Sequence, residues 1–183
     1  MKQELCLKWF PMRVTYHREL KIKKQLDLLG IENFVPMRYE LVETKQGRRK
    51  KLVSAVHNLI FVHSTQETLT YLKMTRKECE PLRYMMKPVV GGKNQWEIMV
   101  VSDQEMENFM RVASVQDDSV MFLDYKDFIG KEGRRVRITE GTFAGVQGIV
   151  KRIKKNKHVV VQIEGVAAVA VTFVPPSFLQ PVE

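Results

Sequence analysis

The spacing of apolar positions changes along this chain, and each spacing predicts a different element. Leu5, Leu7 and Trp9 alternate with Cys6, Lys8 and Phe10, the alternation of a strand covered on both faces, and Pro11 is expected to limit or bend it. Ile22, Leu26 and Leu29 then recur at helical spacing while Lys21, Lys23 and Lys24 lie elsewhere, so Arg18 to Leu29 is expected to be an amphipathic helix ended by Gly30. Asn33 to Pro36 and Arg38 to Glu43 read as extended, Thr44 to Lys51 as a basic hairpin tip around Gly47, and Val53 to His63 as a buried returning strand.

Ser64 to Glu67 and Ser102 to Glu105 both spell the capping box in which a serine and a glutamate satisfy the free amides of a helix start. The first helix would bury Leu69 and Leu72, the second Met106, Phe109 and Met110. Leu82 to Met86 and Ile98 to Val101 supply further extended segments, with a turn at Gly91 and Gly92. Strands in one layer and helices in another make this an α+β module.

From Gly133 the texture becomes all-β. Val136 and Ile138, Ile149 and Ile153, Val159 to Ile163, and Val169 to Phe173 form alternating sets separated by glycine- or lysine-rich turns, which suits a small five-stranded barrel. The expected organisation is thus an α+β domain over 1–112, a linker over 113–130 and an all-β domain over 131–183. Charge follows the same division. The net charge of +9 resolves into +7 for the first segment, −3 for the connector and +5 for the last, so two basic bodies flank an acidic join. Such bodies suit work beside nucleic acid or an acidic protein surface, although excess charge also serves solubility.

Several chemistries are excluded by inventory. Cys6 and Cys79 form no CxxC pair, and His17, His57, His63 and His158 are scattered without a carboxylate or cysteine at ligand spacing, so neither a metal nor a cofactor is expected. Gly141 to Gly148 lacks the lysine of a phosphate-binding loop and leads into a strand, and no nucleophile elbow or dinucleotide fingerprint occurs; an enzyme is not expected. No apolar run reaches the ~18 residues of a membrane span and the first residues do not spell a signal sequence, so the expectation is a cytosolic monomer without membrane contact.

The stretch GRRVRITEGTFAGVQGIV, Gly133 to Val150, resembles the KOW motif. Its physical logic is local: Gly141 and Gly145 can take the left-handed backbone of a tight loop, Phe143 can plug a barrel end, and Gly148 lets two backbones approach. In the first module, Trp9-Phe10, Tyr16 and Glu19, GIENFVP at Gly30 to Pro36, the basic tip, NLIFV at Asn58 to Val62, PVVGG and SDQEMENFMRV resemble the NGN domain of the NusG family in order and spacing. The resemblance implies a ferredoxin-like NGN domain, an antiparallel sheet flanked by helices, followed by an SH3-like KOW barrel. Within the family it resembles the specialised paralogues such as RfaH, and among them most the UpxY antiterminators of long operons such as capsular polysaccharide loci. Val56-His57-Asn58-Leu59 replaces the F-P-G-Y of housekeeping members, and Glu164 stands where many carry an aromatic residue.

That resemblance implies a factor that binds RNA polymerase and suppresses pausing or termination. In the family the NGN domain docks on the clamp helices of the largest polymerase subunit. By motif position the contacts here would be Phe10, Met12, Val56, Leu59 and Phe61, against the plainer reading that they are core; Trp9 and Ile60 are expected to serve the inner face and leave Phe10 and Leu59 for the partner. Arg13, Arg18, Lys21, Arg48, Arg49, Lys50 and Lys51 would face non-template or upstream DNA, the alternative being a solvated charged face. Lys154, Lys155 and Lys157 are a minor RNA-binding option. Glu164 and Gly165 form the barrel tip that in the family meets Rho or a ribosomal protein. A housekeeping NusG and a KOW-containing ribosomal or RNA-binding protein are the alternatives. RfaH refolds its KOW domain as helices, whereas the valine-rich strands here favour a permanent barrel.

Overall fold

The computed structural model describes residues 6–124, 133–153 and 155–182. Leu5, residues 125–130 of the expected connector and Lys154 lie outside the described residues. The chain divides into two compact units, one of Met1–Pro36 with Val56–Asp103 and the other of Met37–Ala55 with Gln104–Glu183.

In the first unit, β1 (Lys8–Val14), β2 (Asn33–Phe34), β5 (Leu59–Ser64) and β6 (Leu82–Tyr84) form an antiparallel sheet in the order β2-β5-β1-β6. Pro11 does not end β1, contrary to the sequence expectation. Its carbonyl accepts from Met85 N–H, just past the point where β6 stops pairing, so the missing proline N–H falls where no ladder bond is needed. Cys6 and Leu7 are exposed and lie before the strand.

Helix α1 (Glu19–Leu28) buries Ile22 and Leu26, and its end closes through the Gly30 and Ile31 amides, which donate to the Asp27 and Leu26 carbonyls. Helix α2 (Gln66–Thr75) buries Leu69 and Leu72. Its cap is Thr65 and not Ser64: the Thr65 side chain accepts from Thr68 N–H at 3.1 Å. Ser64 is held back as the last residue of β5, which pairs it with Lys8. The sheet contributes Phe10, Met12, Val14 and the run Leu59 to Val62 to this core. A small hairpin of β7 (Met86–Pro88) and β8 (Trp96–Ile98) completes the unit, turned at Gly91 and Gly92.

In the second unit, β3 (Met37–Thr44) and β4 (Gly47–Ser54) make a long hairpin. Its register pairs Thr44 with Gly47, leaving Lys45 and Gln46 as the turn, so Arg48 to Lys51 belong to a strand and not to the tip. Val53 to His63 is likewise not one strand. The chain turns at Ala55 to Asn58, and Asn58 takes φ +60°, which separates β4 from β5.

Helix α3 (Asp103–Ala113) starts directly after Ser102 and buries Met106 and Phe109, with Met110 half-buried; Val112 and Ala113 extend the buried face further than expected. The barrel sheet has six strands, where five were expected, in the order β14-β10-β11-β12-β13-β9. They are β9 (Val120–Leu123), β10 (Arg134–Ile138), β11 (Gln147–Ile153), β12 (Asn156–Ile163), β13 (Ala167–Val171) and β14 (Leu179–Pro181). Neither β14 nor β9 is among the four alternating sets, and β9 lies within the stretch expected to be a linker. Its four residues VMFL are apolar among aspartates, pair with β13, and bring Met121 and Leu123 onto a core of Ile153, Val160, Ala168 and Ala170. A run this short carries too little periodicity to outweigh its acidic surroundings.

Candidate functional site

The apolar residues assigned to a partner are placed differently from the expectation. Phe10, Met12, Leu59 and Phe61 are exposed to only 2%, 0%, 3% and 0%, so they are core, and only Val56 keeps partial exposure. Alternation had reserved one face of β1 and β5 for a partner. The structure covers both: Trp9, Phe10, Pro11 and Met12 are consecutive buried residues, as are Leu59, Ile60, Phe61 and Val62. Ring contacts add to this packing, with Trp9 stacked on His63 at 4.8 Å and Phe10 edge-on to Tyr84 at 5.9 Å.

The basic candidates are exposed. Arg13, Arg18, Lys21 and Arg48 to Lys51 all reach solvent. Arg48 pairs with Glu43 at 3.3 Å, and Arg49 donates to Gln46 at 2.6 Å, so the strand orders part of its own charge. Arg18 and Lys21 line a cleft of about 390 Å³ that also holds Lys24 and Lys77 beside Glu78. Lys24 lies on the polar face of α1 and Lys77 after α2, so no local pattern joins them. The register also sets Arg13 beside Arg83. Burial lowers the Lys73 ammonium below its ordinary value, and the Arg83 guanidinium pushes it the same way, while Lys73 Nζ rests 4.5 Å from the centre of the Tyr84 ring. Arg13, Lys21, Lys77 and Arg83 thus belong to elements far apart in sequence.

In the barrel, Gly141 and Gly145 take φ +82° and +88°, and Phe143 is buried. A Cβ on Gly148 would meet the Val160 carbonyl oxygen at 2.7 Å, so this glycine permits the close approach of β11 and β12. Glu164 and Gly165 form the exposed turn between β12 and β13, closed by Val166 N–H donating to the Ile163 carbonyl at 3.0 Å.

The histidines are less scattered than their spacing suggested. His17 and His57 meet edge to face at 5.4 Å, and with Glu19 they place ligand-type atoms within 4.8 Å of one another. His63 Nδ1 lies 2.7 Å from Glu32 Oε2. Tertiary folding makes both groupings across segments that no linear motif connects.

The family profile described as "Transcription termination factor nusG" matches residues 7–110, more than half of the chain, and the KOW motif profile matches residues 132–164. The chain belongs to the NusG family. Its order of an NGN domain followed by a KOW domain is that of the family, and it is a transcription factor of the elongation and termination class. A solved structure titled "Domain interaction in Thermotoga maritima NusG" is similar at 19% identity with a TM-score of 0.46, over 97% of this chain and 98% of that one. Among curated proteins none matches significantly. Within this NusG-family chain, no helix among the described residues is long and apolar enough to cross a membrane.

Proposed function

We propose that this NusG-family chain is an operon-specific antitermination factor. It binds elongating RNA polymerase through the NGN domain and holds exposed non-template or upstream DNA with basic side chains. The observation that carries the reading is the exposed basic set, Arg13, Arg18 and Lys21 on the first unit and Arg48 to Lys51 on β4, in a chain matched by the NusG profile. Phosphates are bound by exposed, clustered cations, and Lys24 and Lys77 enlarge the cluster around Arg18 and Lys21.

Polymerase docking falls to side chains that solvent reaches, of which Val56 is the survivor from the expected set. Phe10, Met12, Leu59 and Phe61 are core residues that hold the sheet together. A factor that prefers the closed clamp of polymerase shifts the population toward elongation, and no bond chemistry is required. Val56 to Leu59 and Glu164, the two departures from the housekeeping pattern, support the specialised reading.

The test is in vitro transcription through the leader of the operon encoding the chain, with and without purified protein. Increased read-through of a pause or terminator is expected. Enhanced termination would instead support a housekeeping role, and unchanged transcription with no polymerase association would overturn the proposal.

A further inference from the structure

We infer that His17, Glu19 and His57 form a binding site for a transition-metal dication of the zinc type. This inference is independent of the transcription reading. Among the described residues, these side chains form a group whose potential ligand atoms all lie within 4.8 Å of one another. Two imidazoles and one carboxylate are a donor set that zinc accepts, with a further position left for water. Magnesium is disfavoured, because imidazole nitrogen suits zinc, copper or nickel while magnesium seeks oxygen.

The three ligands come from places that differ in rigidity. Glu19 is the first residue of α1 and is 3% exposed, so its carboxylate has a defined position. His17 ends the loop before α1, and His57 sits in the turn before β5; both are exposed and have room to rotate. Their rings lie at 89° to each other, so they do not stack face to face and can direct nitrogens toward a common point from different sides. Tetrahedral zinc with bonds of ~2.0–2.1 Å needs ligand atoms about 3.3 Å apart. The group must therefore contract by at most about 1.5 Å from its widest separation of 4.8 Å, a movement within reach of side-chain rotation.

The backbone already brings the two histidine-bearing segments together. Tyr16, His17 and Asn58 take φ of +63°, +50° and +60°, a region uncommon for residues with a Cβ, and His17 N–H donates to Asn58 Oδ1 at 3.0 Å. A bound ion would cross-link the loop before α1 to the turn before β5 by a second route. It would also fix the start of the helix that carries Lys21 and is preceded by Arg18.

The experiment uses the full chain without a histidine tag. Zn²⁺ is titrated by calorimetry, Co²⁺ by visible absorption, and Mg²⁺ serves as the oxygen-seeking control. One saturating Zn²⁺ site, four-coordinate Co²⁺ bands and no comparable Mg²⁺ uptake are expected. His17→Ala, His57→Ala and Glu19→Gln should each weaken Zn²⁺ binding at least ~10-fold, since even outer-shell changes around metals cost that much. The two histidines are exposed, so their variants should melt like the parent without metal, and the double variant keeps His63, His158 and Cys6 as controls for adventitious uptake. Absence of saturable Zn²⁺ binding, or equal binding by the His17→Ala/His57→Ala chain, would overturn the inference.

Discussion

The backbone N–H of His17 donates to the side-chain oxygen of Asn58 at 3.0 Å, tying together residues 41 positions apart. The same asparagine accepts Val14 N–H at its own carbonyl, 2.9 Å away, so one residue in left-handed conformation holds both the end of β1 and the loop that follows it. Asparagine suits the position because its short polar side chain tolerates φ > 0 and supplies the acceptor.

Asn58→Ala is therefore expected to lose about 2 kcal/mol, combining a left-handed alanine with a missing hydrogen bond. Asn58→Gly keeps the backbone conformation and loses only the bond, about 1 kcal/mol. Urea unfolding of the two variants separates the terms, and equal losses would show that the backbone conformation contributes nothing.

Leu59→Arg is expected to destabilise the first unit by roughly 3–5 kcal/mol, the scale of an uncompensated buried charge. At 3% exposure the leucine has no route for a guanidinium to water without opening the sheet. Thermal melting checks this; an unchanged transition would return Leu59 to the surface and reopen it as a docking residue. Val56→Arg, on a half-buried side chain, should leave melting nearly unchanged.

Replacing Arg48, Arg49, Lys50 and Lys51 together by alanine should weaken DNA association mainly at low salt. Each phosphate contact removed should reduce the slope of log affinity against log salt by ~0.7–0.9. Fluorescence anisotropy over a salt series measures that slope, and an identical slope in parent and variant would assign the strand another task.

Asp27 supplies a pH prediction. A hydrogen bond from the Asn33 amide at 2.8 Å, helped by Lys23 at 3.1 Å, holds its carboxyl below the ordinary value of 3.8. A depressed carboxyl adds stability that is present above its unfolded pKa and lost as pH falls through the folded one. Asn33→Ala should raise the Asp27 titration toward 3.8 and shrink the acid-side loss of stability. Carboxyl NMR titration reads the shift directly, and an unmoved Asp27 curve would mean that Lys23 alone sustains it.

The sequence by itself determined what is local or carried by a short motif. Ile22 and Leu26 mark α1, Leu69 and Leu72 mark α2, and the glycines of Gly133 to Val150 announce the barrel, because period, capping and turn chemistry act within a few residues. The order of the two modules, and with it the family, was legible for the same reason. Tertiary structure decided the rest. Alternation states that the two sides of β5 differ but not whether the second side is covered, so the burial of Leu59 and Phe61 depended on packing. The cluster of His17, Glu19 and His57, and the cleft that joins Lys77 to Lys21, bring together segments about 40 to 60 residues apart. Such proximity is created by the sheet order and helix placement of the folded unit, which no single stretch of chain encodes.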